Sequence, residues 1–203
     1  MVFPGGFTYG DDLGAGRVLA NEIRLKLGED MERFVESGYL ILGICNGFQV
    51  LVKAGILPGL KNQQEMTLAT NDSGRFECRW VYLATNTSSR CIFTRDIERL
   101  YLPVAHGEGK VVATDETLKK LDIAIYYTNE KGNRSAGYPY NPNGSLGDIA
   151  GICDNTGRIF ALMPHPERHI VPSQHPGWLE GTAGKQGDGL KIFQNAVDWI
   201  TRL

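Results

Sequence analysis

No apolar run in these 203 residues is long enough to cross a bilayer. No basic segment leads into an apolar core and a small-residue cleavage site, so no signal peptide is read. Cysteine is scarce: four residues, at 45, 78, 91 and 153, none of them in a C-x-x-C pair. That argues against a disulfide scaffold and a structural zinc site. A surplus of one charge is also missing. Lys and Arg number 21 against 23 Asp and Glu, a formal net charge of -2, and the basic residues are scattered. Neither nucleic acid nor an anionic membrane has a footprint to bind. Repeats, low-complexity tracts and a P-loop are absent. The composition points to a soluble protein of a reducing compartment, and the length suits one domain, 1–203, with a full core.

What is present is an alternation of buried strands and helices. Met1-Val2-Phe3 reads as the end of a strand, and Pro4-Gly5-Gly6-Phe7 as a loop. The periodicity predicts helix from Leu13 to Ser37, broken near Gly28, with Asp30 as N-cap of the second piece. Tyr39–Ile44 is apolar throughout, as in a strand covered on both faces. Phe48–Ala54 is a short helix ending at Gly55. Short strands are expected at 76–85, 91–93, 101–105, 110–113 and 123–128, with a short helix over 115–121. Residues 138–145 are dense in turn formers. Ile149–Cys153 and Arg158–Met163 form a hairpin about Asn155-Thr156-Gly157. A Gly/Pro/His-rich surface loop fills 171–188. A last helix over 189–201 has Leu190, Phe193, Val197 and Ile200 as its core face. The fold class is α/β, an open sheet with helices on both faces.

The chemistry starts at Gly43-Ile44-Cys45-Asn46-Gly47. G-x-C-x-G at a strand-to-helix junction has the form of a nucleophile elbow, with sulfur in place of the serine oxygen. The helix N-terminus beyond it favours a thiolate, and the Asn46 amide is placed to hold an oxyanion. The pentapeptide alone fits a buried structural cysteine equally well. A thiolate needs a base, and there are four histidines. His165, in Met163-Pro164-His165-Pro166-Glu167, follows an apolar strand. In an extended chain His165 and Glu167 point the same way, so Glu167 could orient the imidazole. His169 and His175 read as surface residues. His106, in Ala105-His106-Gly107-Glu108-Gly109, lies where a backbone could approach a ligand.

These residues fall into a wider pattern. PGGFTYGDDLGAG (4–16), LGICNGFQVL (42–51), GILPGL (55–60), PVAHGEGK (103–110), NPNGS (141–145), IAGI (149–152), MPHPER (163–168) and DGLKIFQ (188–194) occur in order across nearly the whole chain. In this the chain resembles the class I, triad-type glutamine amidotransferases. Among them it resembles the glutaminase subunits of phosphoribosylformylglycinamidine synthase. The resemblance implies a flavodoxin-like, mostly parallel sheet that here lacks its N-terminal strands, because the chain starts almost at PGGF. It implies Cys45 as nucleophile, His165 as base and acid, and Glu167 as orienter. The backbone amides of Gly6 and Asn46 would form the oxyanion hole, and Gln49 and His106 would contact the substrate glutamine. No metal or cofactor belongs to this chain. ATP and magnesium would sit on a large synthetase partner, with a small bridging subunit in the same cytoplasmic complex. The implied function is release of ammonia from glutamine for formylglycinamidine ribonucleotide synthesis. The alternatives are a triad glutaminase or γ-glutamyl hydrolase of another pathway, or a catalytically inert assembly subunit. The usual GDYLRAG appears here as Gly10-Asp11-Asp12-Leu13-Gly14-Ala15-Gly16, a candidate contact for the synthetase.

Overall fold

A computed structural model describes residues 1–59 and 63–202, so Leu60, at the end of the GILPGL segment, lies outside the described residues. In chain order the elements are β1 (Val2–Phe3), α1 (Arg17–Lys26), α2 (Gly28–Glu36), β2 (Ile41–Ile44) and α3 (Asn46–Lys53). These are followed by β3 (Met66–Thr70), β4 (Glu77–Thr85), β5 (Arg99–His106) and β6 (Glu108–Ala113). Next come α4 (Asp115–Leu118), β7 (Asp122–Thr128), β8 (Ile149–Cys153), β9 (Ile159–Leu162) and α5 (Leu190–Ile200). Seven strands form one open sheet in the order β1-β2-β9-β8-β7-β4-β5, and β3 and β6 pair separately. The main sheet is mixed. β1, β2 and β9 run parallel, and the pairs from β9 through β8, β7 and β4 to β5 are antiparallel.

The core explains this arrangement. All four residues of β2 are buried, as an apolar run between two covered faces requires. α3 is buried from Asn46 to Val52, because it packs on β1, β2 and β9 and is covered by α1 and β3. A helix apolar nearly all round is stable only in such a place. The 149–162 hairpin forms as expected, with Gly151 opposite Leu162. It puts the C-terminal end of β9 beside that of β2.

Five sequence expectations are corrected. His169, read as a surface residue, is buried, with its Nδ1 2.8 Å from Tyr101 O of β5. α1 begins at Arg17, not Leu13, because Gly14 and Gly16 take φ of 101° and 71° and the chain turns there instead of coiling. Asp30 is not an N-cap: α2 starts at Gly28, and Asp30 sits in its first turn paired with Arg33. The expected strand at 91–93 is a buried 3₁₀ turn over Ile92–Thr94, and β3 was not anticipated. On α5 the buried residues are Ile192 and Asn195, while Val197 and Ile200 are 59% and 58% exposed. Asn195 sets that rotation. Its Nδ2 donates to the carbonyls of Phe93 (2.9 Å) and Arg95 (2.8 Å), fastening the helix to the 3₁₀ turn.

Candidate active site

Cys45 stands between β2 and α3 with φ 50° and ψ -103°, a conformation that non-glycine residues rarely adopt. Such backbone strain costs ~1–3 kcal/mol and persists only where the surroundings fix it. They do so here. The Cys45 amide donates to Leu162 O of β9 (2.8 Å), and its carbonyl accepts from Phe48 and Gln49 at the start of α3. The flanking glycines are required by close approach. A Cβ on Gly47 would strike the Phe3 carbonyl, and one on Gly43 would lie 2.6 Å from Leu51 Cδ1. The side chain is 5% exposed, and Sγ donates to Ala105 O at 3.6 Å.

The expected thiolate does not form in this state. Burial pushes the Cys45 thiol up to about 12, against the opposing pull of the Asn46 amide and the Arg168 charge. The helix terminus is present, but desolvation of a sulfur anion outweighs it.

His165 follows β9 and is held by its own amide, which donates to Pro103 O of β5 (2.8 Å). Its Nδ1 lies 2.7 Å from Glu167 Oε1. The two meet through a 3₁₀ turn over Pro166–Arg168, rather than by the extended chain that the sequence suggested. A carboxylate only accepts, so Nδ1 carries the proton and Nε2 the lone pair. That Nε2 is buried with no hydrogen-bond partner. Gly5 brings the two sites together. A Cβ there would lie 2.7 Å from His165 Cε1 and 3.5 Å from Cys45 Cβ, so the Gly5 backbone packs against both.

A cleft of about 140 Å³ opens beside Cys45, and Gly6, Asp11, Gln49, His106 and Glu108 line it. Gly6 holds φ 142°, and a Cβ there would meet nothing within 4 Å. The Gln49 carboxamide is engaged at both ends, donating to Glu108 O (2.6 Å) and accepting from Asn46 Nδ2 (2.9 Å). Asn46 Oδ1 in turn accepts from the Thr8 hydroxyl (2.7 Å).

His106 is held by Asn71, a residue the sequence reading missed. Asn71 Nδ2 donates to His106 O (2.8 Å) and Arg75 O (2.9 Å), which fixes the amide so that Oδ1 faces His106 Nδ1 at 3.1 Å. His106 therefore carries its proton on Nδ1, and Nε2 is a buried acceptor without a partner. Burial, with a smaller electrostatic contribution from the neighbouring His165 ring, brings the imidazole down to about 4. Asn143, of NPNGS, supports the same turn by donating to Gly109 O (2.8 Å). The one signal for Asn71 was its turn-forming Asn-Asp-Ser-Gly context. Among the described residues no group of three or more His, Cys, Asp or Glu could hold a metal, and no helix is long and apolar enough to cross a membrane.

An open α/β sheet with a cysteine on a strand-to-helix elbow and a His–Glu pair packed about the same glycine defines the class: a glutamine amidotransferase-type fold. Residues 1–200 match the family described as the CobB/CobQ-like glutamine amidotransferase domain, and the chain belongs to that family. Over its whole length it is 65% identical to the phosphoribosylformylglycinamidine synthase subunit PurQ of Dehalococcoides mccartyi, covering 80% of that protein. It is 46% identical to the PurQ subunit of Archaeoglobus fulgidus, over 100% of this chain and 78% of that one. Among solved structures it is similar to PurLQS from Thermotoga maritima, with TM-score 0.74 and 34% identity over 98% of this chain and 78% of that one.

Proposed function

We propose that this chain is the glutaminase subunit of phosphoribosylformylglycinamidine synthase in purine biosynthesis. It releases ammonia from glutamine and passes it to a large synthetase subunit, with a small bridging subunit in the same complex. The observation that carries the catalytic reading is the pair of groups packed about Gly5: a strained, buried thiol and a histidine whose Nδ1 is committed to Glu167.

The roles follow from acyl-transfer chemistry. Cys45 gives its proton to His165 Nε2, and sulfur attacks the side-chain amide carbon of glutamine. The amides of Gly6 and Asn46 stabilise the tetrahedral oxyanion. His165 returns the proton to the leaving nitrogen, so ammonia departs rather than an amide anion. Water, deprotonated by His165, then cleaves the γ-glutamyl thioester and releases glutamate. Gln49 and His106 contact the bound glutamine. This chain needs no cofactor for these steps; ATP and magnesium serve the synthetase, and the complex works in the cytoplasm.

Cys45→Ala tests the assignment in the assembled complex. Glutamine-dependent amidination is expected to vanish while amidination from added ammonia persists, because Cys45 makes ammonia and does not touch the nucleotide. His165→Ala should behave similarly, and Glu167→Ala should retain more activity. Glutamine use by Cys45→Ala at the wild-type rate would overturn the reading.

A further inference from the structure

The segment MPHPER, 163–168, ends on an arginine that the acyl-transfer steps leave unused. Arg168 follows Glu167 in the 3₁₀ turn, and its amide closes that turn by donating to His165 O (3.2 Å). Its side chain returns to the triad. Arg168 Nε lies 3.6 Å from Glu167 Oε1, the oxygen that also accepts the His165 Nδ1 hydrogen bond at 2.7 Å. The second carboxylate oxygen, Oε2, is buried without a hydrogen-bond partner. The imidazole and the guanidinium therefore meet at one oxygen of Glu167, and Arg168 supplies the opposite charge.

Half-exposed ion pairs of this kind add little to stability, and these side chains are 50% and 41% exposed. The pair matters instead at the buried Cys45 sulfur, on which its two charges act in opposite directions. Glu167 holds the thiol proton on, and Arg168 draws it off. A hydrogen bond is short-ranged, whereas a charge reaches through a poorly screened interior. A lone carboxylate would hold the imidazole well and repel the anion forming on sulfur. With a guanidinium beside it, the hydrogen bond to Nδ1 survives and much of the repulsion at sulfur is cancelled.

We infer that Arg168 is a positioning residue of the triad: it holds the Glu167 carboxylate against His165 and offsets that carboxylate's negative field at Cys45. The inference rests on the glutaminase reading and adds a residue to its machinery. The other charged groups around the sulfur do not fill this role. Asp11 acts on the thiol in the same sense as Glu167, and Glu108 of β6 brings a further carboxylate to the cleft. Lys53 answers those two, with Arg17 beside it, on the far side from the histidine. His106 of β5 and Tyr127 of β7 are uncharged at neutral pH, because burial opposes the ionisation of each. Glu77 of β4, which faces His106, is paired with Arg79. Arg168 is the cation on the histidine side.

The test compares Arg168→Gln, which removes the charge, with Arg168→Lys, which keeps it, each in the assembled complex. Glutamine hydrolysis is followed against pH, and alkylation of Cys45 by iodoacetamide, read on the Cys45 peptide, is followed beside it. In Arg168→Gln the rise of both rates with pH should move toward higher pH by about half to one pH unit, with kcat at neutral pH about 3- to 10-fold lower. KM should hold, because Arg168 stands outside the lining of the cleft. Arg168→Lys should stay near the wild-type profile. A slower Arg168→Gln enzyme whose hydrolysis profile has not moved means a structural role and overturns the inference. An Arg168→Lys profile displaced as far as that of Arg168→Gln overturns it as well, since charge is then not the agent. Activity restored to Arg168→Gln by excess synthetase, on an unmoved profile, makes Arg168 a subunit contact and also overturns it. If the wild-type complex releases no glutamate from glutamine, both readings fail; if it does and the Arg168→Gln profile stays in place, only this one fails.

Discussion

His106 shows how far burial governs the chemistry of single residues here. Burial pushes its pKa down to about 4 from the ordinary 6.5, with a smaller contribution from the His165 ring in the same direction and Glu77 opposing. The unfolded chain binds a proton at this position below about pH 6.5, and the folded chain refuses it until about pH 4. Across that window the unfolded state holds more protons, so stability falls as pH drops. The loss amounts to about 3 kcal/mol by pH 4. His106→Gln should remove this component, and denaturant titrations at several pH values check it. Parallel stability curves for the two proteins would show that His106 contributes nothing to acid lability. The residues themselves were legible in the sequence, since Cys45, His165 and Glu167 stand in motifs whose spacing carries a mechanism. Their protonation was not. The sequence favoured a thiolate because it displays the helix that follows Cys45, but it does not display the β5 carbonyl at Ala105 or the packing that buries the sulfur.

The elements show a similar division. Segments covered on both faces, such as β2, and hairpins with a clear turn, such as β8–β9, read correctly because composition and turn chemistry agree. The 3₁₀ turn at 92–94 read as a strand because three apolar residues carry no period. The face of α5 read wrongly because a buried polar residue, Asn195, orients the helix and an apolar count ignores it. The turn between β5 and β6 depends on the same kind of group. Asn143 is fully buried. It donates to Gly109 O and to the Tyr127 hydroxyl (3.2 Å), and it accepts from Ser145 Oγ (2.7 Å). Asn143→Ala should therefore cost about 1–3 kcal/mol, the penalty for stranding buried polar partners. Because Glu108 O of that turn holds Gln49, the KM for glutamine should rise as well. Urea denaturation and steady-state kinetics check the two effects. An unaltered urea midpoint would show that Ser145 alone secures the turn.

The whole molecule, as it stands, keeps its nucleophile switched off. Burial pushes the Cys45 thiol up to about 12, so the protonated thiol is favoured at neutral pH. The mouth of the cleft carries Phe7 and Phe76, both exposed, with ring centroids 6.2 Å apart. A subunit docking there would cover apolar surface and press on the 4–7 loop at once. That loop contains Gly6, at φ 142°, and a glycine can change its backbone orientation at little steric cost. Turning the Gly6 amide toward the reacting carbonyl would add one oxyanion donor, worth ~3 kcal/mol or roughly a hundredfold in rate. We therefore predict that the isolated chain is a weak glutaminase and that the synthetase, loaded with its nucleotide substrate, activates it. Such coupling prevents ammonia release when no acceptor waits for it. Two measurements decide the matter: glutamine hydrolysis, and covalent labelling of Cys45 by an active-site-directed glutamine analogue, each with and without the liganded partner. Both rates should climb together, by about a hundredfold if the Gly6 amide alone is responsible. Equal rates in the two conditions would mean a rigid loop and constitutive activity. No labelling in either condition, on folded protein, would favour an inert assembly subunit over a glutaminase.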